Sequence, residues 1–242
     1  MVGRRAGAGI GRLKTGVVTA CRILAQERLV AAFGHVSVRI PGTARLIVSP
    51  RVGPGTVVRT SLLIVDLPLE DRRPQRGPSA ISGAARPPLE LPIHTAIYQA
   101  MPDVAAVCRV HGEAASVVSV LGVPVRPLHF LGSILGGDVP VHDQGDLITD
   151  QARGDAMVRA LRGHRALLLR GNGQVVVGAT LVEACVRAIY LEEAARMQLQ
   201  AMLVGTPRYY TADEVAAYRH AWDDPVNIER VWSYYTRRLT PS

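Results

Sequence analysis

The alternation of apolar and polar residues along the chain predicts a fold in which helices and strands are interspersed. From Thr15 to Ala32 apolar residues recur at helical spacing, which predicts a first helix. Gly34 to Ile40 alternates as a strand, and Arg45 to Ser49 follows a Pro-Gly-Thr turn as the returning strand. By the same reasoning we expect further strands over 57–68, 104–111, 139–142 and a pair within 166–177, further helices over 114–121, 150–161 and 180–203, and an exposed loop over 70–88.

The stretch from 89 to 112 combines a helical pattern with the polar residues most suited to chemistry. Glu90 and His94 are four residues apart, which places them on one face of the predicted helix. A Pro-Asp pair ends this helix, and an apolar strand follows that contains Arg109 and ends at His111, two residues later on the same side. A helix with Glu and His, folded against a strand with Arg and His, predicts a site for a metal or an anion.

Four motifs identify a resemblance. They are Gly34-His-Val-Ser-Val-Arg39, Glu90 with His94, Cys108-Arg-Val-His111 and Arg170-Gly-Asn-Gly173. In order and spacing these motifs resemble the class II aldolase/adducin family. The resemblance implies a single-domain three-layer α/β/α fold over residues 14–208 with a central, mostly antiparallel sheet. We expect a disordered N-terminus over 1–13 and a C-terminal helical extension over 209–242, where paired tyrosines favour docking on a neighbour.

The resemblance also implies a divalent metal (Mn, Zn or Fe). Members that bind zinc through three histidines have them at the positions of Arg109, His111 and Asn172, so this chain keeps one of the three. The predicted metal ligands are His111, His94 and the amide oxygen of Asn172. Two alternatives stay open, because His94 also fits a residue that braces its helix and Asn172 also fits a turn cap.

Three segments that hold a phosphate in the sugar-phosphate aldolases differ here. This chain has His35, Arg51 with Val52, and Pro88-Leu89 where those enzymes have Asn and small hydroxyl residues. Because a guanidinium pairs bidentately with a carboxylate, the change favours a carboxylate substrate, with His35 and Arg51 as predicted binding residues. Packing of His35 and simple solvation of Arg51 are the alternatives.

The chemistry implied by the resemblance is carbon–carbon cleavage through an enolate. Glu90 is the predicted general acid/base, with a helix-terminal carboxylate as the alternative. Arg109 cannot bind a metal, so it fits a site where a substrate carboxylate lies between its guanidinium and the metal. His129 is a third catalytic candidate, from this or a neighbouring subunit, or a packed residue. The pattern is similar to metal-dependent decarboxylases of hydroxylated pyridine and phthalate dicarboxylates; a class II aldolase acting on an unphosphorylated hydroxy-keto acid and a non-catalytic adducin-like module are the alternatives.

Composition narrows these expectations. The chain of 242 residues is 48% hydrophobic and has a net charge of +8, but arginines are dispersed and aromatic residues make up only 5%, which argues against nucleic acid as a partner. Lys14 is the only lysine, which argues against Schiff-base chemistry. Three separated cysteines indicate buried thiols of a reducing compartment, and without an 18-residue apolar run we expect a cytoplasmic protein with no membrane partner. The resemblance implies a homotetramer with sites between subunits.

Overall fold

A seven-stranded sheet forms the centre of the molecule. The computed structural model describes residues 2–67 and 85–239, with side chains from residue 9 onward. The strands lie in the order β3-β2-β1-β4-β7-β6-β5, and every pairing is antiparallel except that of β5 with β6. The strands are β1 (His35–Arg39), β2 (Arg45–Val48), β3 (Leu63–Asp66), β4 (Ala106–Val110), β5 (Val141–His142), β6 (Ala166–Leu169) and β7 (Gln174–Gly178).

Helices cover both faces of this sheet. They are α1 (Val2–Gln26), α2 (Leu91–Ala100), α3 (Glu113–Val120), α4 (Gln151–Leu161), α5 (Leu181–Val204), α6 (Ala212–Ala217), α7 (Arg219–Asp223) and α8 (Pro225–Arg238). One core lies between the sheet and helices α1, α3 and α5, and a second lies between the sheet and helices α2 and α4. The predicted three-layer arrangement with a mostly antiparallel sheet is therefore confirmed.

Strand β4 shows how the two cores share one sheet. Its residues alternate between the faces, so Cys108 enters the first core and Val107 the second. Arg109 follows the same alternation and lies on the face covered by α2. A charged side chain therefore enters the second core at the end of a central strand.

Two predicted boundaries differ from the structure. Helix α1 begins at Val2, so the segment predicted to be disordered is helical; Ile10 and Leu13 continue the apolar spacing and pack against the first core. The helix ends at Gln26 rather than near Ala32, because Arg28 adopts a positive φ of 60° that interrupts helical geometry. The predicted loop over 70–88 lies mostly outside the described residues.

The strand expected within 57–68 is confined to β3, whereas the helices expected over 114–121, 150–161 and 180–203 lie within one residue of α3, α4 and α5. The N-cap of α5 is Thr180, and Thr211 forms a capping box with Glu214 at the start of α6. Helices α6, α7 and α8 lie between Ala212 and Arg238, within the segment 209–242. The three cysteines are buried and free. No helix among the described residues is long and apolar enough to cross a membrane.

Candidate functional site

The register of two central strands brings the predicted residues together. His35 begins β1 and lies directly opposite Arg109 on β4. Helix α2 packs over this end of the sheet, and Glu90 is its N-cap residue. The Glu90 side chain does not cap the helix, so its carboxylate is available to the strand beneath. Residues far apart in the sequence thus meet at one end of the second core.

A buried ion pair is the electrostatic centre of this region. Arg109 is fully buried, and its Nη2 lies 3.1 Å from Oε2 of Glu90, whose side chain is 9% exposed. Nη1 donates to the backbone carbonyl of Val110 over 2.9 Å. The Nη2 contact is an ion pair rather than a well-aligned hydrogen bond, and Nε has no hydrogen-bond partner among the described residues. Burial lowers the pKa of Arg109, while Glu90 opposes that shift.

Two weaker contacts hold the other carboxylate oxygen. Oε1 of Glu90 accepts a hydrogen bond from the backbone N–H of Ile148 over 3.2 Å and one from the side-chain amide of Asn172 over 3.4 Å. Both carboxylate oxygens therefore face hydrogen-bond donors or a cation.

Asn172 lies at the tip of the turn between β6 and β7, where flanking glycines permit positive φ angles. At Gly173, φ is 74°, and a Cβ there would lie 2.7 Å from Nη1 of Arg109 and would overlap the carbonyl oxygen of Val110. Nδ1 of His111 would be 2.9 Å from the same Cβ. Glycine is therefore required for the guanidinium and the imidazole to pack against this turn.

His94 belongs to a chain of hydrogen bonds rather than to a cluster of metal donors. Its Nε2 lies 2.6 Å from Nδ1 of His35, and its Nδ1 lies 2.6 Å from Oγ of Ser37. Oγ of Ser37 lies 2.8 Å from the hydroxyl of Tyr98. A metal could bind His94 only after one of these bonds breaks.

The pKa values of the histidines follow from burial beside a guanidinium. Burial first, and Arg109 second, lower the pKa of His94 to about 3 and that of His111 to about 4. The pKa of His35 is also lowered, by burial and then by His94, Arg109 and His111. The three imidazoles are therefore neutral at pH 7.

A cavity of about 420 Å³ opens above these groups. His35, Glu90, His111 and Asn172 form its polar part, and Arg51 lies at its exposed edge. Arg109 does not line the cavity but lies beneath Glu90. Exposed apolar side chains surround the opening, namely Phe33, Val52, Leu89 and Leu147.

The described residues do not fit a resident divalent ion. No group of three or more His, Cys, Asp or Glu side chains in residues 9–67 and 85–239 is arranged to hold a metal. Both nitrogens of His94 and both oxygens of Glu90 have other partners, which leaves Nε2 of His35, His111 and the oxygen of Asn172. The neighbouring Arg109 guanidinium would repel a dication.

Within the described residues, His129 neither lines the cavity nor contacts a residue that lines it, whereas Arg109 and His94 lie behind the cavity and contact Glu90 and His35, which line it. Nε2 of His129 lies 3.6 Å from Oε1 of Glu193 on α5, and its ring packs against Gly132. A role for His129 in the site of a neighbouring subunit stays a prediction.

The sequence reasoning missed Ser37, Tyr98 and Ile148. Ser37 and Tyr98 carry a signal, since Ser37 is two residues after His35 on a strand and Tyr98 is four residues after His94 on a helix. Ile148 acts through its backbone N–H, which no side-chain pattern reveals.

Comparison with known proteins places this geometry in a family. Residues 15–199 match the family model "Class II Aldolase and Adducin N-terminal domain". A 3,4-dihydroxyphthalate decarboxylase from Terrabacter sp. is 33% identical over 196 residues, covering 78% of this chain and 81% of that protein. The decarboxylase tropJ from Talaromyces stipitatus is 28% identical over 76% of this chain and 74% of its own length.

Solved structures agree on the fold. An L-fuculose 1-phosphate aldolase from Glaciozyma antarctica superposes with a TM-score of 0.80 at 24% identity, covering 97% of this chain and 90% of that one. YgbL from Klebsiella pneumoniae, described as a putative aldolase/epimerase/decarboxylase, gives a TM-score of 0.71 at 28% identity, covering 86% and 98%. The chain therefore belongs to the class II aldolase and adducin family, and it is a lyase of the kind represented by these decarboxylases and aldolases.

Proposed function

We propose that the protein decarboxylates a hydroxylated aromatic or related hydroxy-(di)carboxylic acid. The observation that carries this proposal is the composition of the cavity, where neutral imidazoles and a carboxylate lie beneath an apolar opening with an arginine at its edge. Apolar rims suit an aromatic ring, and Arg51 suits a carboxylate. The relatives named as 3,4-dihydroxyphthalate decarboxylases support this substrate class.

The proposed reaction exchanges carbon dioxide for a proton at a ring carbon. Glu90, the only carboxylate that lines the cavity in the described chain, takes the proton of the ring hydroxyl and returns it to the ring carbon that bears the carboxylate. The carbon–carbon bond then breaks, carbon dioxide leaves, and its electron pair restores the ring as a phenolate. Water reprotonates the phenolate oxygen, so each turnover consumes one proton from solution.

Arg109 has an indirect part in this proposal. Because it is fully buried beneath Glu90, it holds that carboxylate in place through their ion pair and adds positive potential under the developing oxyanion. The family is typically dependent on a divalent metal, and the prediction of one bound through His94, His111 and Asn172 stays a prediction. The proposed reaction does not depend on that metal.

The decisive experiment is product analysis with two substrate panels. Purified protein is incubated with hydroxylated aromatic dicarboxylates, including 3,4-dihydroxyphthalate, and separately with unphosphorylated hydroxy-keto acids, with and without added Mn²⁺, Zn²⁺ or Fe²⁺. Release of carbon dioxide from the first panel, lost in Glu90→Gln, supports the proposal. Release of an aldehyde from the second panel alone would replace it with the aldolase reading.

The same experiment addresses a non-catalytic, adducin-like role. If neither panel yields product under any metal condition, while 3,4-dihydroxybenzoate still binds, the enzymatic proposal is wrong. Elemental analysis of the purified protein, beside His111→Ala, reports on the predicted metal independently of the substrate.

We extend the proposal to assembly and location. The resemblance favours a cytoplasmic homotetramer with its sites between subunits. The exposed apolar residues around the cavity support contact with a neighbouring subunit at this surface, and Phe33 is the most exposed of them at 76%. Light scattering of the wild type and of Phe33→Ser tests this assembly. We expect a tetrameric wild type that dissociates in the variant, and a monomeric wild type would refute the tetramer.

A further inference from the structure

The hydrogen-bond chain behind His35 fixes more than its position. It runs from Tyr98 on α2 through Ser37 on β1 and His94 on α2 to His35, which borders the cavity. All four side chains are buried. Nδ1 of His35 faces His94, so Nε2 is the ring nitrogen available to a ligand in the cavity.

The direction of the chain is set at its Tyr98 end. Oγ of Ser37, 2.8 Å away, is the one hydrogen-bond partner of the Tyr98 hydroxyl in the described part of the chain. If the Tyr98 hydroxyl accepted a hydrogen bond from Ser37, its own hydrogen would have no acceptor there. A buried hydroxyl hydrogen without an acceptor has lost its bond to water and gained none in the protein, which favours donation from Tyr98 to Ser37.

Each following bond is determined by the one before it. Ser37 accepts from Tyr98 and has one hydrogen, which it donates to Nδ1 of His94. Because Nδ1 of His94 accepts this bond, the ring hydrogen of His94 lies on Nε2 and is donated to Nδ1 of His35. Nδ1 of His35 accepts in turn, so the ring hydrogen of His35 lies on Nε2, facing the cavity.

We propose that His35 is a fixed, neutral hydrogen-bond donor to the substrate oxyanion, and that Ser37, His94 and Tyr98 are positioning residues that lock its tautomer. This proposal rests on the decarboxylation proposed above, where the negative charge develops on a ring oxygen. A donor held in one tautomer needs no reorganisation when that charge forms. If the hydrogen bonds ran in the opposite direction, Nε2 of His35 would carry no hydrogen, and it would be a base or a metal ligand instead of a donor.

The tautomer can be measured without any substrate. Nitrogen-15 NMR of imidazole-labelled protein distinguishes a hydrogen on Nε2 from one on Nδ1, and His35→Gln identifies the signal. The expected result is an Nε2–H tautomer of His35 in the wild type that becomes a mixture in Tyr98→Phe, which keeps the ring but removes the hydroxyl. Tyr218→Phe is the matched control, because Tyr218 does not belong to this series of hydrogen bonds, and it should leave the tautomer of His35 unchanged. An Nδ1–H tautomer in the wild type would overturn the proposal.

Activity gives the second test. With a substrate that is turned over, His35→Leu should lower kcat about 10²–10³-fold, as for the loss of one oxyanion donor, with little change in KM. His35→Gln restores an N–H near the Nε2 position and should recover most of that loss. Equal kcat in the wild type and His35→Leu would overturn the donor role. If no substrate is found, the decarboxylation proposal fails while the NMR result still decides the tautomer.

Discussion

Removal of one partner from the Arg109 and Glu90 ion pair should destabilise the protein far more than removal of both. In Arg109→Met the fully buried guanidinium is replaced by a side chain that fills part of its volume, and Glu90 is left with only the long contacts from Ile148 and Asn172. Breaking a buried pair in this way costs about 3–5 kcal/mol. For a domain of this size that corresponds to a decrease in Tm of about 6–20 °C.

Urea unfolding of three variants measures the effect. At pH 8, Arg109→Met should lower the free energy of unfolding by about 3–5 kcal/mol. The slope m, the dependence of that free energy on urea concentration, should not change. The double variant Arg109→Met with Glu90→Gln should recover most of the loss, because no unpaired charge stays buried. Arg170→Met is the control, since its partner Asp143 is 81% exposed and such pairs contribute roughly 0–1 kcal/mol.

Two results would refute this reasoning. A single variant within about 1 kcal/mol of the wild type would mean that the buried carboxylate finds compensation elsewhere or changes its protonation. A double variant no more stable than the single one would mean that the loss comes from packing rather than from charge.

Three further predictions concern the turn, the buried histidines and the cavity edge. Gly173→Ala should abolish activity and cost about 1–3 kcal/mol more than Gly171→Ala, measured by urea unfolding, because both have positive φ but only the first Cβ meets Arg109; equal losses would contradict it. Because the pKa of His94 is lowered to about 3 in the folded state, unfolding takes up a proton, so stability present above pH 6.5 is lost as pH falls towards 3. In acid titrations His94→Gln should reduce the dependence of the free energy of unfolding on pH by about 1.4 kcal/mol per pH unit, while the exposed-site control His220→Gln leaves it unchanged. Arg51→Ala should raise KM for a dicarboxylate about tenfold with kcat within twofold, and a fall in kcat alone would show that Arg51 acts in the transition state.

The fold was predictable to the extent that local pattern dictates it. Alternation placed β1, the turn after it placed β2 as the returning strand, and a run of apolar residues placed β4, each within two residues of the observed bounds. The first helix was misjudged because the glycines and arginines before Thr15 weaken helix propensity, while Ile10 and Leu13 gain enough packing on the first core to continue it.

The candidate site divides in the same way. The spacing of Glu90 and His94 and the position of Arg109 on a buried strand follow from the sequence alone. The pairing of Arg109 with Glu90 depends on the β1 and β4 register and on how α2 crosses the sheet, and neither is encoded within one segment. The sequence determined which residues are chemically capable, because residue type and helical or strand period are local properties. Only the tertiary structure decided that His94 bonds to His35 and Ser37 rather than facing the cavity, because burial against β1 forces every polar atom there to find a partner.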